Sequence, residues 1–172
     1  GRGFRPGCSR PRDRPAATVS RPQVKALLLD ADGVFQTPAR GWLSRMAALG
    51  GGFDFVREVM EREKETMTGE VDLRPIVEEL LAGRGSTATF EEIIDEWCQI
   101  VPDPHMLRLA DKVRALGVLT VVASNQQPYR GRWMLENLGY EAHFDHQFHS
   151  WHLGVAKPDP AYFTAILDRI GV

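Results

Sequence analysis

Three short stretches of this chain hold residue types that could together move a phosphoryl group. The first is Asp30-Ala31-Asp32-Gly33, the second Ser124-Asn125, the third Gly154-Val155-Ala156-Lys157-Pro158. A carboxylate can attack phosphorus and carry the phosphoryl group as an acyl phosphate. A second carboxylate nearby can be the general acid and then the base for water. Two close acids attract Mg²⁺, whose charge keeps a nucleophile ionised and neutralises phosphate. A hydroxyl, an amide and an ammonium can hold the oxygens on which charge gathers in the transition state. The candidates are therefore Asp30, Asp32, Ser124, Asn125 and Lys157.

Those stretches are useful only if the fold brings them together. Val24–Leu29 is a continuous apolar run ending at Asp30, which suits a strand covered on both faces. Val118–Ala123 is a second such run, ending at Ser124-Asn125, and Phe144–Phe148 is a weaker third. Between them lie helices with readable ends. Asp103-Pro104 begins one that Gly117 stops, Pro128–Leu138 is stopped by Gly139, and Asp159-Pro160 caps the last. That alternation predicts an α/β fold with a doubly wound, Rossmann-like parallel sheet, in which ligands bind beyond the carboxyl ends of the strands. After the first strand comes an insert of roughly 65–70 residues, too long for a loop and so a helical subdomain. Its helical spacing shows at Phe55, Val56, Val59 and Met60, and again at Ile76, Val77, Leu80 and Leu81. Thr89 and Glu92 stand at capping-box spacing ahead of Ile93, Ile94 and Trp97. The expected layout is an α/β core over 23–35 and 102–172, with a helical cap over 36–101 hinged near Phe35–Arg40 and Val101–Asp103.

The segments LLLDADGV, VVASN and GVAKPDPAYF resemble the first three motifs of the haloacid dehalogenase-like (HAD) hydrolases. They occur in that family's order, with 94 residues from Asp30 to Ser124 and 33 from Ser124 to Lys157. The resemblance implies roles. Asp30 matches the nucleophile and a Mg²⁺ ligand. Asp32 matches the general acid/base, whose backbone carbonyl ligates the metal. Ser124 matches the phosphate-binding hydroxyl with Asn125 beside it, and Lys157 the lysine that steadies nucleophile and phosphate. The insert matches the C1-type cap that closes over the site. The family's dehalogenase branch generally lacks the second acid, so Asp32 favours phosphate chemistry. The implied activity is Mg²⁺-dependent hydrolysis of a small phosphorylated metabolite, a sugar phosphate or nucleotide-like monoester, through an aspartyl-phosphate.

One departure stands out. The family's fourth motif, an acidic pair at a later strand end, has no counterpart after Lys157; Asp159 reads as an N-cap and Asp168 lies within the last helix. The sheet is therefore expected to be truncated, with Leu27–Leu29 on an unpaired edge that invites self-association into a homodimer. Two alternatives follow: a catalytically inactive HAD-like module, or a sugar phosphomutase.

Composition narrows the partners. The 172 residues carry 21 basic and 23 acidic side chains, so no global field argues for nucleic acid. No apolar run approaches the roughly 18 residues of a membrane span. Two cysteines, Cys8 and Cys98, make no disulfide framework, which fits a reducing, cytoplasmic setting. Residues 1–22 hold six arginines against one acid, Asp13, and few large apolar residues, and read as a disordered tail; an RNA-binding arm is the sharper alternative. His143, His146, His149 and His152 recur at every third position, but successive members of such a series face opposite sides of a strand. Of the tryptophans Trp42, near the cap hinge, is the candidate substrate contact, and Cys98 reads as a small buried residue.

Overall fold

The computed structural model describes residues 23–172. The arginine-rich segment 1–22 lies outside them. A parallel three-stranded sheet forms the centre, with β1 (Ala26–Leu29) beside β4 (Leu119–Ser124) and β4 beside β5 (His146–His149). Leu29 aligns with Val122 and Ser124 with His149, so the strands end at nearly the same level.

Alternate residues of β4 serve opposite layers. Val122 packs with Ala110 of α5 (Pro104–Ala115), Met134 of α6 (Pro128–Asn137), Phe35, Tyr140 and Phe144. Val121 and Ala123 pack with Tyr162 and Ile166 of α8 (Pro160–Ile170). Helices thus cover both faces of β4, and that is why it reads as an unbroken apolar run.

The helix starts were legible because their caps are chemical. The Asp103 carboxylate accepts from the amides of His105 and Met106, with Pro104 in the first turn. Asp159 accepts from Ala161 N ahead of α8. Each such cap stabilises its helix by about 1 kcal/mol.

The insert is a bundle of α1 (Trp42–Gly50), α2 (Phe53–Glu63), α3 (Leu73–Ala82) and α4 (Phe90–Trp97). It has its own core, built around Met46, Phe55, Leu73, Val77, Phe90 and Ile93. The Thr89–Glu92 capping box is formed at the start of α4. Two features escape sequence patterning. The segments entering and leaving the insert pair as a two-stranded antiparallel ladder, β2 (Gln36–Pro38) with β3 (Ile100–Pro102). Three-residue strands that each contain proline look like turns in sequence. The other is α7 (Ser150–Leu153), a single turn directly after β5.

Two boundaries shift. The first strand starts at Ala26 rather than Val24, which is exposed. The third spans His146–His149 rather than Phe144–Phe148. Phe144 is buried beneath the sheet against Phe35, so its hydrophobicity reports packing and not strand position. Among the described residues β1 has a neighbour on one side only, and Leu27 is exposed on it. No helix among them is long and apolar enough to cross a membrane.

Candidate active site

All five residues singled out from the sequence stand at or just beyond the carboxyl ends of β1 and β4 or on the loop after α7. Asp30 follows β1. One of its carboxylate oxygens, Oδ1, accepts from Ala31 N at 2.8 Å and pairs with Lys157 Nζ at 3.0 Å. Oδ2 makes no hydrogen bond to the protein among the described residues and is free to meet a ligand. The pair is reachable from solvent, with the Asp30 side chain 47% exposed.

Ser124 ends β4 and is buried. Its Oγ accepts from Gln126 Nε2 at 2.9 Å, which leaves its own proton to donate. Asn125 has a different use. Its Nδ2 donates to Lys157 O and its Oδ1 accepts from Lys157 N, both at 2.9 Å. This two-bond clamp ties the loop carrying Lys157 to the end of β4. The Asn125 carboxamide is thus engaged in holding Lys157 opposite Asp30.

Asp32 is held more tightly than its sequence suggests. Arg130 of α6 grips both oxygens, Nη2 to Oδ1 at 2.7 Å and Nη1 to Oδ2 at 2.8 Å. Gln36 Nε2 donates to Oδ1 and Gln126 Nε2 to Oδ2, each at 2.8 Å. Tyr140 OH in turn donates to Gln36 Oε1, fixing that amide. Burial works against ionising Asp32, but the Arg130 hydrogen bonds and charge, with the two amides, outweigh it and bring the carboxyl down to about 2. Asp32 is a carboxylate at neutral pH in this arrangement.

Arg130 is nearly buried and also donates through Nε to Trp97 O, at the end of α4, at 3.2 Å. It therefore links the insert to the acid of the sheet domain. Gln36, Gln126 and Arg130 were not among the sequence candidates. Arg130 carried one readable signal: a cation in the first turn of a helix opposes the macrodipole and needs an anion to justify it.

Above Asp32 lies a cavity of about 220 Å³ between insert and sheet domain. Trp42 lines it, together with Met60, Met67 and Trp97 from the insert. Glu63 enters it from the end of α2, and desolvation raises its carboxyl to about 7. A wider groove of about 860 Å³ elsewhere on the insert, lined by Gly52, Glu58, Glu79 and Arg84, contains none of the strand-end residues.

The other sequence features sit away from this chemistry. His143 pairs with Asp111, His146 stacks on Phe148, and His152 stacks on Trp151. His149 is buried, and desolvation, with the nearby Arg130 and His152 charges, lowers it to about 4. Cys98 is buried, and desolvation pushes its thiol up to about 11.

The haloacid dehalogenase-like hydrolase family model matches residues 23–172, and the chain belongs to that family. No curated protein matches it. Among solved structures, a HAD family enzyme from Bacteroides thetaiotaomicron, in complex with magnesium and inorganic phosphate, superposes with a TM-score of 0.70 at 20% identity, over 87% of this chain and 80% of that one. A HAD phosphatase from Thermococcus onnurineus gives 0.62 at 18% identity, over 87% and 73%. An L-2-haloacid dehalogenase from Xanthobacter autotrophicus with chloropropionic acid covalently bound gives 0.62 at 17% identity, over 87% and 66%. The shared fold serves both carbon–halogen and phosphate chemistry, so the choice between them belongs to the site residues.

Proposed function

We propose that this chain is a Mg²⁺-dependent phosphatase that hydrolyses a small phosphate monoester through an aspartyl-phosphate on Asp30, with the helical insert as its cap. The observation that carries the reading is the half-exposed Asp30 carboxylate, one oxygen pinned by Ala31 N and Lys157 and the other unengaged. Pinning one oxygen orients the other for in-line attack and removes the need to order it during reaction.

The donor set suits a hard cation. The Asp30 carboxylate and the Asp32 backbone carbonyl would hold Mg²⁺, which takes one or two protein oxygens and fills its shell with water and substrate phosphate. When bound, it would neutralise charge on the phosphoryl oxygens. Lys157 and the Ser124 hydroxyl supply further charge and a proton donor on the same side. Asp32, as a carboxylate, is in the state required of a base that activates water in the second step. To protonate the leaving oxygen in the first step Asp32 must first release Arg130 and take up a proton from water, which it then passes to that oxygen.

A second reading is favoured by the saturation of Asp32. With four donors on its carboxylate, the site could bind phosphate without turning over. One experiment separates the two: Mg²⁺-dependent release of phosphate from an activated aryl phosphate, with Asp30→Asn as control. Activity abolished by Asp30→Asn and by chelation of the metal supports the phosphatase. A folded chain that binds phosphate and releases none from the ester supports the binding module.

A further inference from the structure

The cavity above Asp32 limits what the phosphate can be esterified to, and this inference rests on the phosphatase reading. Its polar floor is largely paired within itself. Asp32 accepts from Arg130, Gln36 and Gln126. The Gln126 amide is shared among Asp32, Ser124 and Arg130. Arg130 donates through Nε to Trp97 O, and the Asn125 carboxamide is closed on the backbone of Lys157. From the insert come two indoles and two thioethers, Trp42, Trp97, Met60 and Met67. The only ionisable group the insert contributes is Glu63, whose carboxyl has no hydrogen-bond partner among the described residues.

We infer that the substrate is the phosphate ester of a compact, ring-sized, mainly apolar alcohol, carrying at most one polar substituent, which meets Glu63. The volume agrees: about 220 Å³ exceeds the roughly 150 Å³ in which an apolar cavity holds a benzene ring. The chemistry agrees as well. A hexose would bring several hydroxyls against walls made mainly of indole and thioether over a floor largely paired within itself, and each hydroxyl left unpaired there is costly.

The test compares two esters with matched leaving groups. Phenethyl phosphate and a hexose phosphate esterified at its primary hydroxyl both release a primary alcohol, so their intrinsic reactivities are alike. With the full chain and Mg²⁺, kcat/KM for the phenethyl ester is expected to exceed that for the hexose ester at least about tenfold, the factor for one unpaired hydroxyl. Met60 stands exposed at the mouth of the chamber, so Met60→Gln should fold, and it should narrow the ratio by placing a polar amide there. Equal or faster turnover of the hexose ester, or a ratio unmoved by Met60→Gln, overturns the inference and leaves the phosphatase standing. Failure of both esters and of an activated aryl phosphate, with the chain folded, overturns the phosphatase reading and this inference with it.

Discussion

Replacing Arg130 by methionine tests the tightest interaction in the site. The parent Asp32 carboxyl lies at about 2 against an ordinary 3.8, which corresponds to roughly 2 kcal/mol of preference for the charged form. The Asp32 side chain is 43% exposed, so solvent screening reduces its contribution to stability to about 1 kcal/mol. The substitution also strips a donor from Gln126 Oε1 and from Trp97 O, at about 1 kcal/mol each. Arg130→Met should therefore destabilise the chain by about 3 kcal/mol and lower Tm by about 6–12 °C. Urea denaturation measures the first and thermal denaturation the second. In a double-mutant cycle with Asp32→Asn the coupling should be about 1 kcal/mol. The pH dependence has a definite sign. A carboxyl depressed in the folded state lends stability above its unfolded value near 3.8 and loses it as pH falls through about 2, so Arg130→Met should flatten that part of the profile. A variant within about 0.5 kcal/mol of the parent, or strict additivity with Asp32→Asn, would refute the argument that Arg130 holds Asp32 as a carboxylate.

Three further outcomes are expected. Asp30→Asn should abolish turnover but change stability by no more than about 1 kcal/mol, because its partner pair is half exposed; urea denaturation alongside the phosphate assay checks both. His149 is buried neutral, its folded value near 4 against 6.5 unfolded, so stability should be full above pH 6.5 and fall by about 3 kcal/mol as pH drops to 4; His149→Phe should remove that slope in pH-dependent melts. Gly131→Ala would drive a methyl group into the Trp151 ring beside His149, and denaturation should show a loss of about 1–3 kcal/mol.

What the sequence determined was local and periodic. The apolar run of β4 declared a strand covered on both faces because β4 does alternate between two helical layers, whereas β1, read the same way, leaves Leu27 exposed. The Asp103-Pro104, Asp159-Pro160 and Thr89–Glu92 signals fixed helix starts because a cap is a bond between residues two or three apart. Asp30, Ser124 and Lys157 could be nominated because each lies at the end of such a readable element or in the loop just beyond one. The state of those residues was decided elsewhere. Arg130 is 98 residues from Asp32, and Gln126 is 94 away. No periodicity links such positions; they meet only when the start of α6 comes against the segment after β1. The same holds for the cavity, whose walls come from the insert and whose floor comes from the sheet domain. Charge, protonation and pocket polarity depend on what lies within a few ångströms in space, and only the tertiary structure sets that distance.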